Sequence, residues 1–390
     1  MSVINLENVH TFYSPTKVVF GKGTARNVAQ EITLLGGKKV LIVTDPEVEK
    51  ADLLKPVKES LNAAGIFFSI FNGVKPEPPS WVVDEGAQKC RSEGCDFVVG
   101  VGGGSSLDCA KGIAIMATNE GSILDVCGVE LVKKRRLPTI LLSTTSGTGS
   151  EVTRALVVTD EKAVRKNAVV SFYVLADVAI VDPLLTLSMP PKVTAHTGVD
   201  ALTHALESYV SVMATHFSEP LAERAIRSIA KYLPVAWAKG SNLEARYFMS
   251  LSSTIAGMAF ASSGLGAVHA LGHTLGAEYH LAHGPAMAAV LPAVMQYNLS
   301  GNPEKFAQIA SFMGKEVDGL STMEAAQEAV KAVQELLETI QVPFRLRDYG
   351  IPREDIPKLT KAAMREARLF TFNPRDVQED DVRSLFEAAF

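Results

Sequence analysis

The sequence has little of what would indicate a disulfide-stapled, nucleic-acid-binding or secreted protein. Its 390 residues contain four cysteines and no Cys-x-x-Cys pair, which argues against a zinc ribbon and gives no disulfide framework. Basic residues are not in excess, since 38 Lys and Arg face 43 Asp and Glu, so we expect no nucleic-acid partner. The first fourteen residues show no basic segment followed by an apolar run. No secretory signal is therefore visible, and we expect a cytoplasmic protein.

Charge is almost absent from one long stretch. Between Tyr247 and Pro303 the only formally charged residue is Glu278, and about 20 apolar residues would suffice to span a membrane. The stretch is rich in Ser, Gly and His, however, and histidines are costly inside a membrane. We therefore interpret it as a buried helical core and expect no membrane partner. Histidine is crowded here too, because seven of the eight histidines lie between His196 and His283.

The first half of the chain alternates β-branched runs with helical patterns. Apolar spacing of the helical kind occurs at Glu47–Ala64 and at Trp81–Glu93. This alternation is typical of βαβ units and predicts a mainly parallel sheet, in an α/β domain of Rossmann-like type. The predicted buried strands are Lys39–Thr44, Phe67–Phe71, Asp96–Val101, Thr139–Ser143 and Val178–Asp182.

The second half has a different residue pattern. From Pro191 onwards helical periodicity dominates, and the segment Thr322–Ile340 is a clear amphipathic helix. A chain of this length predicts two domains of about 100–200 residues each. We place the boundary near residue 186, so that an α/β domain (1–185) precedes an all-helical domain (186–390). A cleft between the two domains is the natural ligand site.

Two loops that follow predicted strands have the composition of ligand-binding segments. One is the glycine turn that leads into Ser105, Ser106 and Asp108, where a helix N-terminus could hold a pyrophosphate. It lacks the third glycine of the dinucleotide fingerprint, and a structural loop is the alternative interpretation. The other loop, Ser143–Thr153, is dense in hydroxyls and glycines, and helix capping by the hydroxyls is its alternative. Asp45, which ends the first predicted strand, is a candidate acceptor for a ribose hydroxyl or simply a turn residue.

A carboxylate and several histidines have the spacing of a metal site. Asp200 and His204 lie four residues apart, so on a helix they share one face, and His269 and His273 repeat that spacing. His283 follows in a Tyr-His-Leu-Ala-His-Gly-Pro segment. Burying these groups in a segment nearly free of charge is costly unless something pairs with them, and a divalent metal would do so. The remaining histidines are interpreted as structural or left unassigned: His10, His196, His216 and His280.

Taken together, these motifs resemble the iron-containing (group III) alcohol dehydrogenase family over essentially the whole chain. The motifs GGGSSLDCAK, TTSGTGSEVT, VDPLLTLSMP and TGVDALTHALESY and the spaced histidines occur in the family's order. The resemblance implies a Rossmann-like domain, a helical domain, and a metal and a nicotinamide that meet in the cleft between them. The sequence departs from the family at Pro76-Glu77-Pro78, where Pro-Asn-Pro is frequent, and at Thr274 and Ala282, where proline is frequent.

Carried over motif by motif, the resemblance assigns roles to the candidate residues. The metal ligands would be Asp200, His204, His269 and His283, with Fe(II) the expected ion and Zn(II) the alternative. His273 would line the substrate and nicotinamide side, and an acid at Asp45 would favour NAD over NADP, with NADP the alternative. The cofactor would be contacted by Asp45, Gly103, Gly104, Ser105, Thr144, Thr145, Thr153 and Lys166.

The sequence thus predicts a metal-dependent oxidoreductase. We expect hydride transfer between NAD(P) and a small primary alcohol or diol, or the matching aldehyde, with His273 relaying a proton or orienting the ligand. The alternatives are a dehydroquinate-synthase-like lyase, a maleylacetate-reductase-type activity and a non-catalytic metal- or nucleotide-binding module. The lyase needs basic groups at the metal, which the stretch from Tyr247 to Pro303 does not supply. The resemblance also implies a homodimer or larger homo-oligomer.

Overall fold

The computed structural model describes residues 12, 14, 17–163 and 165–390 of the chain. Nine strands are found among these residues, all before the helical C-terminal region. They are β1 (Lys17–Phe20), β2 (Lys39–Val43), β3 (Phe67–Phe71), β4 (Phe97–Gly102), β5 (Gly128–Val129), β6 (Thr139–Ser143), β7 (Ala155–Asp160), β8 (Arg165–Val170) and β9 (Val178–Val181).

Six strands form one parallel sheet in the order β1-β9-β6-β4-β2-β3. Every residue of β4, β6 and β9 is buried, which is the pattern of central strands covered on both faces. The chain turns to one side of β2 to form β3 and to the other side to form β4. That reversal of strand order opens a crevice at the carboxyl ends of β2 and β4, where α/β sheets bind ligands.

Fifteen α-helices lie in the described part of the chain. Those of the first half are α1 (Val28–Leu34), α2 (Pro46–Lys50), α3 (Lys55–Ala63), α4 (Ser80–Ser92) and α5 (Gly104–Met116). Those of the second half are α6 (Pro191–Val210), α7 (Ser218–Ala238), α8 (Leu243–Ser263), α9 (Ala267–Tyr279), α10 (His283–Asn298), α11 (Pro303–Phe312), α12 (Thr322–Thr339), α13 (Ile356–Ala363), α14 (Ala367–Phe370) and α15 (Glu379–Ala389).

The predicted fold class is confirmed: a parallel α/β part is followed by an all-helical part. The predicted strands and the helix at residues 322–340 agree with the observed bounds to within a residue or two. The boundary at residue 186 falls in the short 3-10 helix Pro183–Thr186 that links β9 to α6, and it stays a prediction. The sequence did not predict β1 or the small second sheet, in which β7 and β8 pair in antiparallel fashion beside β5.

One predicted helix is two helices in the structure. The pattern at 47–64 predicted a continuous helix, but α2 ends at Lys50 and α3 begins at Lys55. Pro56 explains the break, because in a helix interior its ring would clash with the carbonyl of Asp52 and it has no N–H to donate. Asp52 instead takes a left-handed backbone conformation with φ of 56°.

Helix α6 lies at the centre of the helical part, and fifteen of its twenty residues are buried. Helices α7, α8 and α10 pack against it, and a single apolar cluster joins these helices to α9, α11, α12 and α15. No single helix among the described residues is long and apolar enough to cross a membrane. Helices α8 and α9 reach the necessary length and hydrophobicity only when they are taken together, and a bend of 105° separates them.

Candidate active site

Helix α6 presents the first two candidate metal ligands. Asp200 and His204 lie one turn apart and both side chains are buried, with His204 Nε2 3.6 Å from Asp200 Oδ1. Because α6 is covered nearly all round, its polar residues can only face other protein groups or a bound ion. The spacing of four residues therefore produces one polar face inside an apolar helix, as the sequence predicted.

Two further helices bring their histidines to the same point. His269 lies in the first turn of α9, and His283 is the first residue of α10. His283 Nε2 lies 3.3 Å from Asp200 Oδ1. One ligand atom from each of Asp200, His204, His269 and His283 falls in a group whose members all lie within 4.8 Å of one another. The structure thus brings the four predicted ligands together.

The four side chains fit a divalent cation. Asp200 Oδ1 and His269 Nε2 are buried and have no hydrogen-bond partner among the described residues. Such orphaned buried atoms are costly unless they are ligands. One carboxylate oxygen and three imidazole nitrogens form a donor set that iron and zinc both accept.

Electrostatics favour the protonation states that a metal requires. Burial lowers the pKa of His204 and of His269, so both imidazoles are neutral and have a free nitrogen. Burial alone would raise the pKa of Asp200, but the neighbouring imidazoles of His204 and His283 favour its ionised form and hold that pKa below its usual range. The carboxylate is therefore ionised.

Two groups that the sequence analysis missed orient the histidines. His269 Nδ1 lies 2.6 Å from Glu207 Oε2, and the other oxygen of Glu207 accepts the Val268 N–H at 2.7 Å. His204 Nδ1 lies 3.3 Å from the Gly147 carbonyl, which can only accept, so the proton is on Nδ1. Both rings therefore direct Nε2 toward Asp200. Glu207 follows His204 by three residues on α6, and that spacing was the available signal.

The glycine turn and the start of the hydroxyl-rich loop lie at the carboxyl edge of the sheet. The glycine turn joins β4 to α5, and Thr144 and Thr145 follow β6, the neighbour of β4. A Cβ on Gly104 would lie 2.7 Å from Thr148 Cγ2, so only glycine leaves the space above this helix N-terminus open. Gly103 is the N-cap of α5, and its added Cβ would lie 3.3 Å from Thr145 Cγ2.

Asp45 lies beside this turn across the crevice between β2 and β4. Its Oδ1 accepts the N–H groups of Glu47 and Val48 and caps α2. Its Oδ2 accepts the Ser106 hydroxyl at 2.8 Å. Both interpretations of Asp45 thus have a basis. As a turn residue it caps α2, and as a candidate ribose acceptor its carboxylate lies at the crevice where the strand order reverses.

The other predicted cofactor residues already have protein partners. Ser105 Oγ accepts the Glu77 N–H, and Lys166 Nζ lies 2.7 Å from Glu77 Oε1. Thr153 is buried, with its hydroxyl 3.3 Å from the ammonium of the buried Lys111. Thr153 therefore belongs to a buried polar network below the loop, and its contact with a cofactor stays a prediction.

His273 lies outside the four-ligand group but next to it. Its ring centroid is 5.8 Å from that of His269 and 5.5 Å from that of His283. Glu366, which the sequence analysis did not single out, has Oε2 4.0 Å from His273 Nδ1. Burial lowers the pKa of His273, and Glu366 partly offsets that effect.

The unassigned histidines have varied surroundings. His280 is exposed and ends α9 in a left-handed conformation, and His216 is exposed. His196 is partly buried, and its carbonyl packs against Gly284, where a Cβ would clash with it. His10 lies outside the described residues.

Fold and site together define a class: a two-domain α/β and helical protein with an Asp-His₃ cluster beside a dinucleotide-type sheet edge. Residues 15–183 match the family described as iron-containing alcohol dehydrogenase, and residues 194–390 match its C-terminal domain family. The chain belongs to the iron-containing alcohol dehydrogenase family and is an alcohol dehydrogenase.

Relatives match over nearly the full length. The 1,3-propanediol dehydrogenase of Citrobacter freundii is 44% identical over 378 residues, which covers 96% of this chain and 97% of the relative. The choline dehydrogenase of Bacillus subtilis is 41% identical over 393 residues, which covers 100% and 97%. A crystal structure of a 1,3-propanediol oxidoreductase superposes with a TM-score of 0.96 at 42% identity, covering 98% of this chain and 100% of that one.

Proposed function

We propose that this alcohol dehydrogenase transfers a hydride between NAD(H) and a small primary alcohol or diol, or the matching aldehyde, at a bound Fe(II). Asp200, His204, His269 and His283 would hold the metal. A divalent cation bound there supplies a Lewis acid for the substrate oxygen, which favours the alkoxide in one direction and the polarised carbonyl in the other.

The observation that carries the proposal is the position of the loop between β6 and β7. Its Gly147 carbonyl holds His204, and the neighbouring Thr148 lies against Gly104 at the N-terminus of α5. A single short loop therefore forms one wall of the candidate cofactor turn and one support of the candidate metal centre. A nicotinamide that extends from the turn would be brought to the metal side of the cleft, which is the arrangement that hydride transfer requires.

The residues have distinct roles in this proposal. Asp45 would accept a hydroxyl of the adenosine ribose and repel a 2′-phosphate, which favours NAD over NADP. The unpaired N–H groups at the start of α5 would bind the pyrophosphate. His273 would relay the alcohol proton or orient the substrate, since it lies beside His269 and His283 but outside the ligand group.

The relatives support the substrate class. Those matched act, by name, on a diol and on a primary alcohol with a cationic head group. The region around the four ligands is poor in charge, which favours small uncharged substrates over polyanions. No observation on the described residues favours the lyase, whose phosphorylated substrate would need free basic groups at the metal.

Metal removal and restoration tests the proposal. Chelator-treated protein should lose NADH-linked turnover of a panel of short alcohols, diols and aldehydes, and Fe(II) should restore more of it than Zn(II). The variant His269→Ala should lose the metal and lower kcat by at least about 10³-fold, whereas His216→Ala, which alters an exposed histidine, should change neither. Retention of metal and full activity by His269→Ala would show that the ligand assignment is wrong. The molar mass of the same preparation in solution tests the expected homo-oligomer.

A further inference from the structure

An ion pair lies between the candidate cofactor turn and the helix that carries His273. Lys166 Nζ is 2.7 Å from Glu77 Oε1, and the two side chains are 18% and 38% exposed respectively. Both groups also lie close to α9, since a Cβ on Gly276 would be 3.3 Å from Lys166 Nζ and 3.9 Å from Glu77 Oε1. Gly276 follows His273 by three residues on the same face of that helix. The ion pair is therefore one helical turn from His273.

The protein holds Glu77 in place from several sides. Its backbone is left-handed, with φ of 49°, a conformation that residues other than glycine rarely adopt. Its N–H donates to Ser105 Oγ, and its carbonyl accepts the Thr159 hydroxyl at 3.0 Å. The adjoining Pro78 carbonyl accepts the Thr159 N–H. A rarely populated conformation that is fixed by three hydrogen bonds suggests that the direction of this carboxylate matters to function.

The charges near His273 are few. Besides the candidate metal ligand His283, the charged side chains that act most strongly on His273 are Glu366 and Lys166. Glu366 is in turn influenced by the exposed Arg368. The nearest other cation on the Glu77 loop, Lys75, lies over the Trp81 ring with Nζ 4.6 Å from its centroid. Lys166 is thus the cation best placed to attract an anionic substrate group, and Glu77 neutralises it.

We propose that the Glu77–Lys166 ion pair determines the charge class of the substrate. Because Lys166 is paired with Glu77, it is not free to bind an anionic substrate group. The enzyme would then accept uncharged and cationic alcohols and aldehydes and discriminate against those that carry a sulfonate or carboxylate. This inference rests on the proposed function and deepens it. Its physical basis is that the attraction between opposite charges grows as water is excluded, so one free cation a helical turn from His273 suffices to change selectivity.

Three substituted acetaldehydes that differ in charge test the proposal. These are glycolaldehyde, which is neutral, trimethylammonioacetaldehyde, which is cationic, and sulfoacetaldehyde, which is anionic. In Glu77→Gln, which keeps the side chain's size and removes its charge, the ratio of kcat/KM for the anionic to the neutral aldehyde should rise about fivefold to tenfold. Lys166→Met leaves Glu77 unpaired, so the same ratio should fall. Because the two variants move the ratio in opposite directions, a general loss of fold cannot imitate the result.

The control breaks a different ion pair. Glu59→Gln removes the partner of Arg26 on the surface, where the two atoms lie 2.9 Å apart, and should leave the ratio unchanged. Dissociation constants of isethionate and choline, measured by calorimetry, give a readout besides turnover and should shift in the same directions. An unchanged ratio in Glu77→Gln, with tighter NADH binding instead, would overturn the inference, because Lys166 would then serve the cofactor. Failure of the metal-loaded wild type to turn over any member of the panel of short alcohols, diols and aldehydes would overturn the proposed function itself, and this inference with it.

Discussion

Glu207 holds His269 through a 2.6 Å contact between Oε2 and Nδ1, and both groups are buried. Burial raises the pKa of Glu207 to about 7, and hydrogen bonds from the backbone partly oppose that rise. The carboxylate fixes the imidazole with Nε2 toward Asp200, so the position of a metal ligand depends on a residue that itself does not reach the cluster. Groups that orient a metal ligand in this way contribute measurably to metal affinity.

The variant Glu207→Gln should therefore bind metal more weakly. The amide keeps the size of the side chain but loses the charge that polarises His269, and we expect affinity to fall about 10–100-fold. Competition with a chromophoric chelator measures the change. Glu223→Gln, which removes the surface partner of Arg227, is the control, and equal affinities in the two variants would contradict the role of Glu207.

Filling the glycine turn should weaken cofactor binding. In Gly104→Ala the added methyl group would lie 2.7 Å from Thr148 Cγ2, and overpacking of this kind costs about 1–3 kcal/mol. The KM for NADH should rise about tenfold or more, with metal content unchanged. The double variant Gly104→Ala/Thr148→Ser removes the methyl group that clashes, so it should recover part of the loss. No change in KM for NADH in the single variant would argue against pyrophosphate binding at this helix N-terminus.

Removing the charge of Asp45 should relax cofactor choice. Asparagine is as good a helix N-cap as aspartate, so Asp45→Asn should preserve α2 and the melting temperature. The ratio of kcat/KM for NADPH to that for NADH should rise about tenfold, because the repulsion of the 2′-phosphate is lost. Asp96→Asn, which alters a carboxylate that accepts backbone N–H groups at the other end of β2, should leave this ratio unaltered.

A buried glutamate between the two halves of the chain makes stability depend on pH. Glu151 Oε1 accepts the Thr254 hydroxyl at 2.7 Å, whereas its Oε2 has no partner among the described residues. Burial raises the pKa of Glu151 above its ordinary value. The folded state therefore holds this proton more tightly than the unfolded chain does. Its contribution to stability is complete below the ordinary pKa of about 4.3 and is lost as pH rises through the raised value.

Glu151→Gln should remove the loss of stability that occurs as pH rises. The variant should melt roughly 2–4 °C above the wild type at neutral pH for each kcal/mol recovered, and the difference should shrink toward pH 4.5. Thermal unfolding of both proteins across this range, with metal removed, is the measurement. A difference that stays constant with pH would mean that the carboxyl group does not titrate in the folded state.

Local pattern was sufficient to predict part of the site. The four-residue spacing of Asp200 and His204 defines one helix face, and an apolar run followed by glycines defines β4 and its turn. These features depend on a few neighbouring residues, so the sequence displays them directly. Which histidine of each pair joins the cluster was not decided by spacing, and the choice of His269 and His283 came from the family resemblance.

Contacts between distant segments were not predictable in this way. The support of His204 by the Gly147 carbonyl joins residues 57 positions apart, and Glu366 reaches His273 from near the C-terminus. The break between α2 and α3 was predictable in principle, because Pro56 is visible in the sequence. The antiparallel pair β7 and β8 was missed because both strands are only partly buried and their apolar runs are short.

The loop that supports His204 and faces Gly104 has a thermodynamic consequence. We expect a dinucleotide that orders this loop to tighten metal binding as well, because the same backbone positions a ligand. Linkage requires the reverse effect to be equal: the factor by which the cofactor strengthens metal affinity is the factor by which the metal strengthens cofactor affinity. A chain stripped of its metal would then release its dinucleotide more readily, so loss of either component promotes loss of the other.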